Sequence, residues 1–579
     1  MQEYIYQNNP DPGVLFLKIL SLTILLSIAC AKQGMPPGGP VDETPPQIIN
    51  SIPAPKSTFV DRNIKVEVVF NEWINTRNIE EAVFISPYVG EDVKIKIGGR
   101  KISIIFPEPL RQKCTYVITF GTEIKDLRNN ALEKSFTLAF STGGVLDMGE
   151  MKGRVYEENV QGTDVWAYLL NNNSVINPAV IEPDYIIQCE DDGDFHFTHI
   201  ATGKYRLFAV KDRIADRLYT RGEDRVGVTF GDVIIPEGKT QSADSLFFRM
   251  FIEDTLKPAL VRAVPVNNHS VQLLFDQPVC FDRKMLQEKI RIYSYLDTMD
   301  VLKIKEAYID PNDNKTLKVL TEPQKEGQYF LSIEGITDES GNPVDPDFNA
   351  SEFTASTGSD TIKPELTSVL PAPDQNDVHL NQNIHLFFSE SMDTGTFNRG
   401  FSLADTLEER MSGSLKWYNP AEVSFIPENS FKSQAVYRVD LSGEWIRDLS
   451  GNSLDDTLYQ FKTLNKDTLS GISGSILDPD TVEKGDIYVT LHQIENNQIS
   501  YQQKADSSNN FEFKQILPGN YVISCFRDRD NNRQYSYGNP FPFLSAERFI
   551  VYSDTVLAKP RWPNTENNIT LPSYPYTRD

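Results

Sequence analysis

Apolar residues recur at every second position along much of this chain. Ile64, Val66, Val68 and Phe70 do so, as do Ile102, Ile104 and Phe106, then Tyr116, Ile118 and Phe120. A period of two predicts strands with one buried face, stacked as a sandwich. No long stretch carries the 3.6-residue period of a helix. The same unit is written three times. Asp42-Glu-Thr-Pro-Pro46, Asp254-Thr-Leu-Lys-Pro258 and Asp360-Thr-Ile-Lys-Pro364 open the copies. A strand then ends at Val69-Phe70-Asn71-Glu72, Leu274-Phe275-Asp276-Gln277 or Phe387-Phe388-Ser389-Glu390. Near the close of each copy, an Asp and an Asn stand four residues apart: Asp126 and Asn130, Asp338 and Asn342, Asp448 and Asn452. Such a pair predicts a turn whose Asp caps backbone N–H groups, a structural role rather than a ligand's.

The opening Asp-x-x-x-Pro, the Phe-x-Glu strand end and the Asp-x-x-Gly-Asn-x-Leu turn resemble the SbsA-type bacterial Ig-like domain. The resemblance covers three stretches: 42–146, 254–358 and 359–466. It implies β-sandwiches used as spacers or binding modules on exported proteins, with no enzymatic activity of their own.

Between and after them runs a second pattern. Phe195-His-Phe-Thr-His-Ile200 followed by Gly203-Lys-Tyr205 returns 316 residues later as Phe511-Glu-Phe-Lys-Gln-Ile516 and Gly519-Asn-Tyr521. Phe-x-Phe-x-x-Ile-x-x-Gly-x-Tyr predicts two strands and a tight turn with Gly at its strained position. It resembles the carboxypeptidase-regulatory-like (transthyretin-like) β-sandwich, a domain appended to peptidases that is not itself a peptidase. These modules occupy 147–253 and 467–579. The expected fold is all-β: a tandem array of five β-sandwich modules, three Ig-like and two transthyretin-like, each with a separate core.

The N-terminus adds a location. Residues 19–29 form an apolar run behind Lys18, too short to span a bilayer but matching the core of a signal peptide over 1–29. Ile28-Ala29-Cys30 then resembles the lipobox of bacterial lipoproteins, which implies cleavage before Cys30 and its acylation. Residues 30–41, rich in Gly and Pro, read as a flexible tether. The expected place is the cell envelope, on the outer membrane, with the face left open.

Charge narrows the partners. Lys and Arg number 56 against 81 Asp and Glu, a net charge of −25, which excludes a nucleic-acid binder. Cys114, Cys189, Cys280 and Cys525 fall in four different modules and predict buried single thiols. Six histidines accompany no HExxH, GxSxG or phosphate-loop motif, so no catalytic residue is assigned. His196 and His199, three apart on a strand, point to opposite faces unless a bulge intervenes.

The best constellation for a cofactor is Asp528, Asp530 and Asn532, whose alternating oxygens could wrap Ca²⁺; a capped turn explains the same residues. Trp73, Trp417 and Trp445 could stack on sugar rings or pack in a core. The expected function is a non-catalytic, lipid-anchored spacer or interaction scaffold. Its partners would be the membrane through acylated Cys30 and another envelope protein or a glycan. A carbohydrate-binding or adhesion protein is the alternative, and an accessory subunit of a hydrolase the next.

Overall fold

In the strand Lys65–Phe70, Val66, Val68 and Phe70 are buried, while Lys65 faces water. The computed structural model repeats this pattern throughout. It describes residues 42–574, apart from 78, 81, 91, 172–174, 238–241, 283–288, 408 and 481–482. The leader, Cys30 and the tether lie outside the described residues.

Three units share one strand order. In the first, Ile48–Ile52, Lys65–Phe70, Lys101–Ile105 and Lys94–Gly98 form a four-stranded sheet, in that order. It faces a three-stranded sheet of Val83–Ser86, Thr115–Phe120 and Phe136–Ser141. The third and fourth units repeat the same two sheets.

The second and fifth units share a different order. In each, a three-stranded sheet pairs its first strand (Gly149–Tyr156 or Ser470–Leu477) antiparallel to one neighbour and parallel to the unit's late strand. Glycine permits that parallel pairing: a Cβ on Gly153 would stand 1.8 Å from the Leu246 carbonyl oxygen, and one on Gly474 1.9 Å from that of Asn567. The fold is therefore an all-β tandem array of β-sandwiches.

Five hydrophobic clusters fill the five interiors. A sixth corrects the expectation of separate cores. It gathers Phe84 of the first unit, Trp166, Tyr168, Phe208 and Val228 of the second, and Ala546 of the fifth, with Tyr535 and Phe543 packed against it. The reason lies in the second unit's larger sheet. Its strands Asp164–Leu169 and Gly203–Lys211 carry unbroken apolar runs, Val165-Trp-Ala-Tyr168 and Leu207-Phe-Ala-Val210, all buried. Val165, Ala167, Leu207 and Ala209 serve the unit's own interior, so Trp166, Tyr168, Phe208 and Val210 need cover from elsewhere. The chain doubles back across more than 300 residues of sequence to supply it.

Candidate functional site

The repeated turn is built alike in all three copies. Asp126 Oδ1 accepts from the N–H groups of Arg128 (2.7 Å) and Asn130 (2.8 Å), while Asn130 Nδ2 donates to Asp126 Oδ2 (2.8 Å) and to the Asp42 carbonyl (2.9 Å). Asn342 likewise joins Asp338 to the carbonyl of Asp254, and Asn452 joins Asp448 to that of Asp360. The Asn amide thus ties the opening of each module to its turn.

This geometry gathers three motif positions that are far apart in sequence. Carboxyl oxygens of Asp42, Glu72 and Asp126 lie within 4.8 Å of one another, as do those of Asp360, Glu390 and Asp448. Asp126 and Asp448 are buried; Glu72 and Glu390 are half-buried. Burial, with Asp360 and Asp448 beside it, pushes the Glu390 carboxyl up to about 8. Burial and then Asp126 and Asp42 raise Glu72 as well. Burial would also raise Asp126, but hydrogen bonds from Asn130 and the Arg128 N–H hold it below the usual carboxylate range. The sequence marks these positions separately, as a module opening, a strand end and a capped turn; that the Phe-x-Glu glutamate meets both aspartates needs the fold.

The second trio borders a cleft of about 540 Å³ between the third and fourth units, lined by Gln272, Tyr308, Lys318 and Leu449 among others. That junction is polar. Tyr308 Oη and Ser391 Oγ are 2.6 Å apart, Lys318 Nζ donates to the Ser389 carbonyl (2.7 Å) and Asn312 Nδ2 to that of Phe388 (3.0 Å). Further clefts lie between the second and fifth units (690 Å³) and the first and second (450 Å³).

At the calcium candidate, the fold brings Glu547 to Asp528 and Asp530, and Asn532 stays beside both aspartates. Asn532 donates its backbone N–H to Asp528 (3.2 Å) and Asp530 (3.0 Å), and its amide to Asp530 (3.0 Å), as a capped turn requires. Glu547 accepts from the N–H groups of Arg529 (2.6 Å) and Ser536 (3.1 Å). The three carboxyls close the base of the loop that carries Phe543 onto the second unit. Nearby, fully buried Arg548 is paired with Asp478 (2.8 Å) and Glu483, a structural ion cluster.

The remaining candidates are scattered. A bulge does follow Phe197, with His199 at φ +60°, yet His196 pairs with Glu150 and His199 with the Asp147 carbonyl. The matching Gln515 of the fifth unit has φ +57°. Cys189 and Cys525 are buried and Cys114 half-buried, but Cys280 is exposed, because it sits past a strand end where its N–H bonds the Thr337 carbonyl. All four thiols are free. Trp73 is exposed, Trp417 packs edge-on against Phe397, and Arg399 lies over Trp445. Three nearly parallel rings, His385, Phe387 and Tyr418, stand on the fourth unit's outward sheet face. Among the described residues, no helix is long and apolar enough to cross a membrane.

Two stretches of the chain match a known family of domains. Residues 42–142 and 360–463 match the family model of the bacterial Ig-like domain. The third unit shares their strand order. No curated protein matches the chain. Among solved structures, an LD transpeptidase (LdtMt1) in complex with imipenem is 14% identical, covering 24% of this chain and 73% of its own, at a TM-score of 0.16. The N-terminal part of the bacterial S-layer protein SbsC is 10% identical over 36% of this chain and 45% of its own, TM-score 0.18. Chicken CNTN1 FN1-FN3 domains are 11% identical over 52% and 98%, TM-score 0.12. Values this low do not bear on activity.

Proposed function

We propose that this chain is a non-catalytic scaffold of the bacterial envelope, lipid-anchored through Cys30. Its modules would be bounded at 42–146, 147–253, 254–358, 359–466 and 467–579. The observation that carries the reading is the cluster around Trp166 and Phe208, where one sheet is covered by two other modules. A spacer needs reach alone, whereas this contact gives modules one, two and five a fixed mutual arrangement, which suits presenting a surface to an envelope partner. The matches to the bacterial Ig-like domain agree with an exported, non-enzymatic role. The second and fifth modules, which share one order in their three-stranded sheets, would be the transthyretin-like pair.

A fatty-acid probe should label the wild type and not Cys30→Ser, and cross-linking in cells should capture a protein partner at the 1-2-5 block. Equal labelling of both proteins would remove the anchor, and an isolated monomer in cells would remove the scaffold. The carbohydrate-binding reading is favoured by one feature, the parallel rings of His385, Phe387 and Tyr418. Retention of the wild type, but not Tyr418→Ala, on an immobilised envelope polysaccharide would support it.

A further inference from the structure

The three Ig-like copies differ at one position of the carboxyl trio. Glu72 and Glu390 hold it in the first and fourth modules; Gln277 holds it in the third. Gln277 Nε2 donates to the Leu256 carbonyl (3.1 Å) in the segment that opens its module. A neutral carboxylic acid can donate as that amide does, and an ionised carboxylate cannot. We propose that Glu390 is held as a neutral acid that closes its carboxyl trio, and that its shared proton latches the fourth module to the third.

The surroundings argue for a proton. Glu390 faces Asp360 and Asp448, two like charges whose oxygens lie within 4.8 Å. The cation that acts on Glu390 is Lys318, whose Nζ is already committed to Asp310 (2.7 Å) and to the Ser389 carbonyl (2.7 Å). Across the cleft stand His269, Lys305 and Glu306 of the third module. Around Glu72, by contrast, Arg100 supplies a counter-charge to Asp42 and Asp126. Around Glu390, three carboxylates this close, with the Lys318 ammonium bound elsewhere, cannot all stay ionised, so one proton is retained.

Position makes the proton matter. Asp360 belongs both to the trio and to the link between modules, and its Oδ2 accepts from Asn267 Nδ2 of the third module (2.8 Å). Ionising Glu390 sets a third negative charge against this residue, beside the Tyr308–Ser391 and Lys318–Ser389 bonds that hold the junction. The sign follows from linkage. An unfolded Glu loses its proton near pH ~4.3, whereas the folded Glu390 keeps it until about 8. Across that window the unfolded state binds fewer protons, so stability is full below it, falls as pH rises through it, and is flat above.

The test uses the full-length protein in detergent, wild type against Glu390→Gln. The fourth module's Tm should fall by several degrees from about pH 5 to about pH 8.5 in the wild type and stay level in the variant, which should match or exceed the wild type at the upper pH. Amide exchange over residues 389–392 should quicken with pH in the wild type only. Infrared difference spectra should show a neutral-carboxyl band at neutral pH that the variant loses. The inference is overturned if the variant melts lower at both pH values or keeps the wild-type slope. It is equally overturned if millimolar Ca²⁺ raises the wild-type Tm but not the variant's, since a cation would then be closing the trio.

Discussion

At single residues, the repeated turn separates backbone conformation from side-chain chemistry. The position before the Asn is Asn129, Gly341 or Gly451, with φ of +70°, +85° and +92°. A Cβ on Gly451 would meet nothing within 4 Å, so any cost of substitution there comes from the left-handed backbone alone. Gly451→Asn, which copies the first module, should leave the fourth module's stability within about 0.5 kcal/mol. Gly451→Val should lower it by roughly 1–3 kcal/mol, because a β-branched residue is strained at positive φ. Denaturant unfolding of the two variants checks this, and equal losses in both would show that packing, not φ, rules the turn. The Asp and Asn of each turn are readable from their spacing, since the bonds they make are local. The glutamate that joins them is not, because its neighbours come from the far end of the module.

Single strands and loops show where reading by period succeeds and where it stops. Alternation foretells strands such as Lys65–Phe70 and Ile384–Phe388, because one face meets a core and the other meets water. It says less about Gly203–Lys211, where an apolar run replaces the alternation. That run signals a sheet buried on both faces, but not what covers the second face, since the covering residues follow some 330 positions later. The covering element is the loop around Phe543, whose base the residues Asp528, Asp530 and Glu547 close. Its hold on the second module is specific: the Phe543 and Phe208 rings meet edge-on at 6.2 Å, and the Arg206 guanidinium lies 3.6 Å above the centre of the Phe543 ring. Arg206 is also fixed from below by Asp232 (2.9 Å). A double-mutant cycle of Arg206→Ala and Phe543→Ala should therefore give a coupling of about 0.5–2 kcal/mol. Additive losses in the cycle would mean that the guanidinium and the ring do not act together in solution.

At the scale of the whole molecule, the chain closes on itself. Modules one, two and five share the sixth cluster, while three and four form the bridge between two and five. The bridge is fastened at both ends of the fourth module: Asn267 bonds Asp360 on one side, and His379 Nε2 lies 2.7 Å from the Gln515 carbonyl on the other. The aromatic contact between modules two and five reaches well beyond Phe543. Arg249 lies over the rings of Tyr535 (4.8 Å) and Phe549 (4.5 Å), Tyr156 meets Phe549 edge-on, and Phe230 meets Tyr574. Burying a large apolar side chain is worth about 1.5–3 kcal/mol, so losing this cover should be felt inside the second module. Removing residues 467–579 should cost the second module about 2–5 kcal/mol and sharply reduce amide protection in Asp164–Leu169 and Gly203–Lys211. The strand Gln328–Ile333, buried inside the third module's own sandwich, should keep its protection in the same experiment. Five independent beads would respond otherwise, losing the fifth module and leaving exchange in the second unchanged. That result would restore the extended array and remove the fixed arrangement on which the scaffold reading stands.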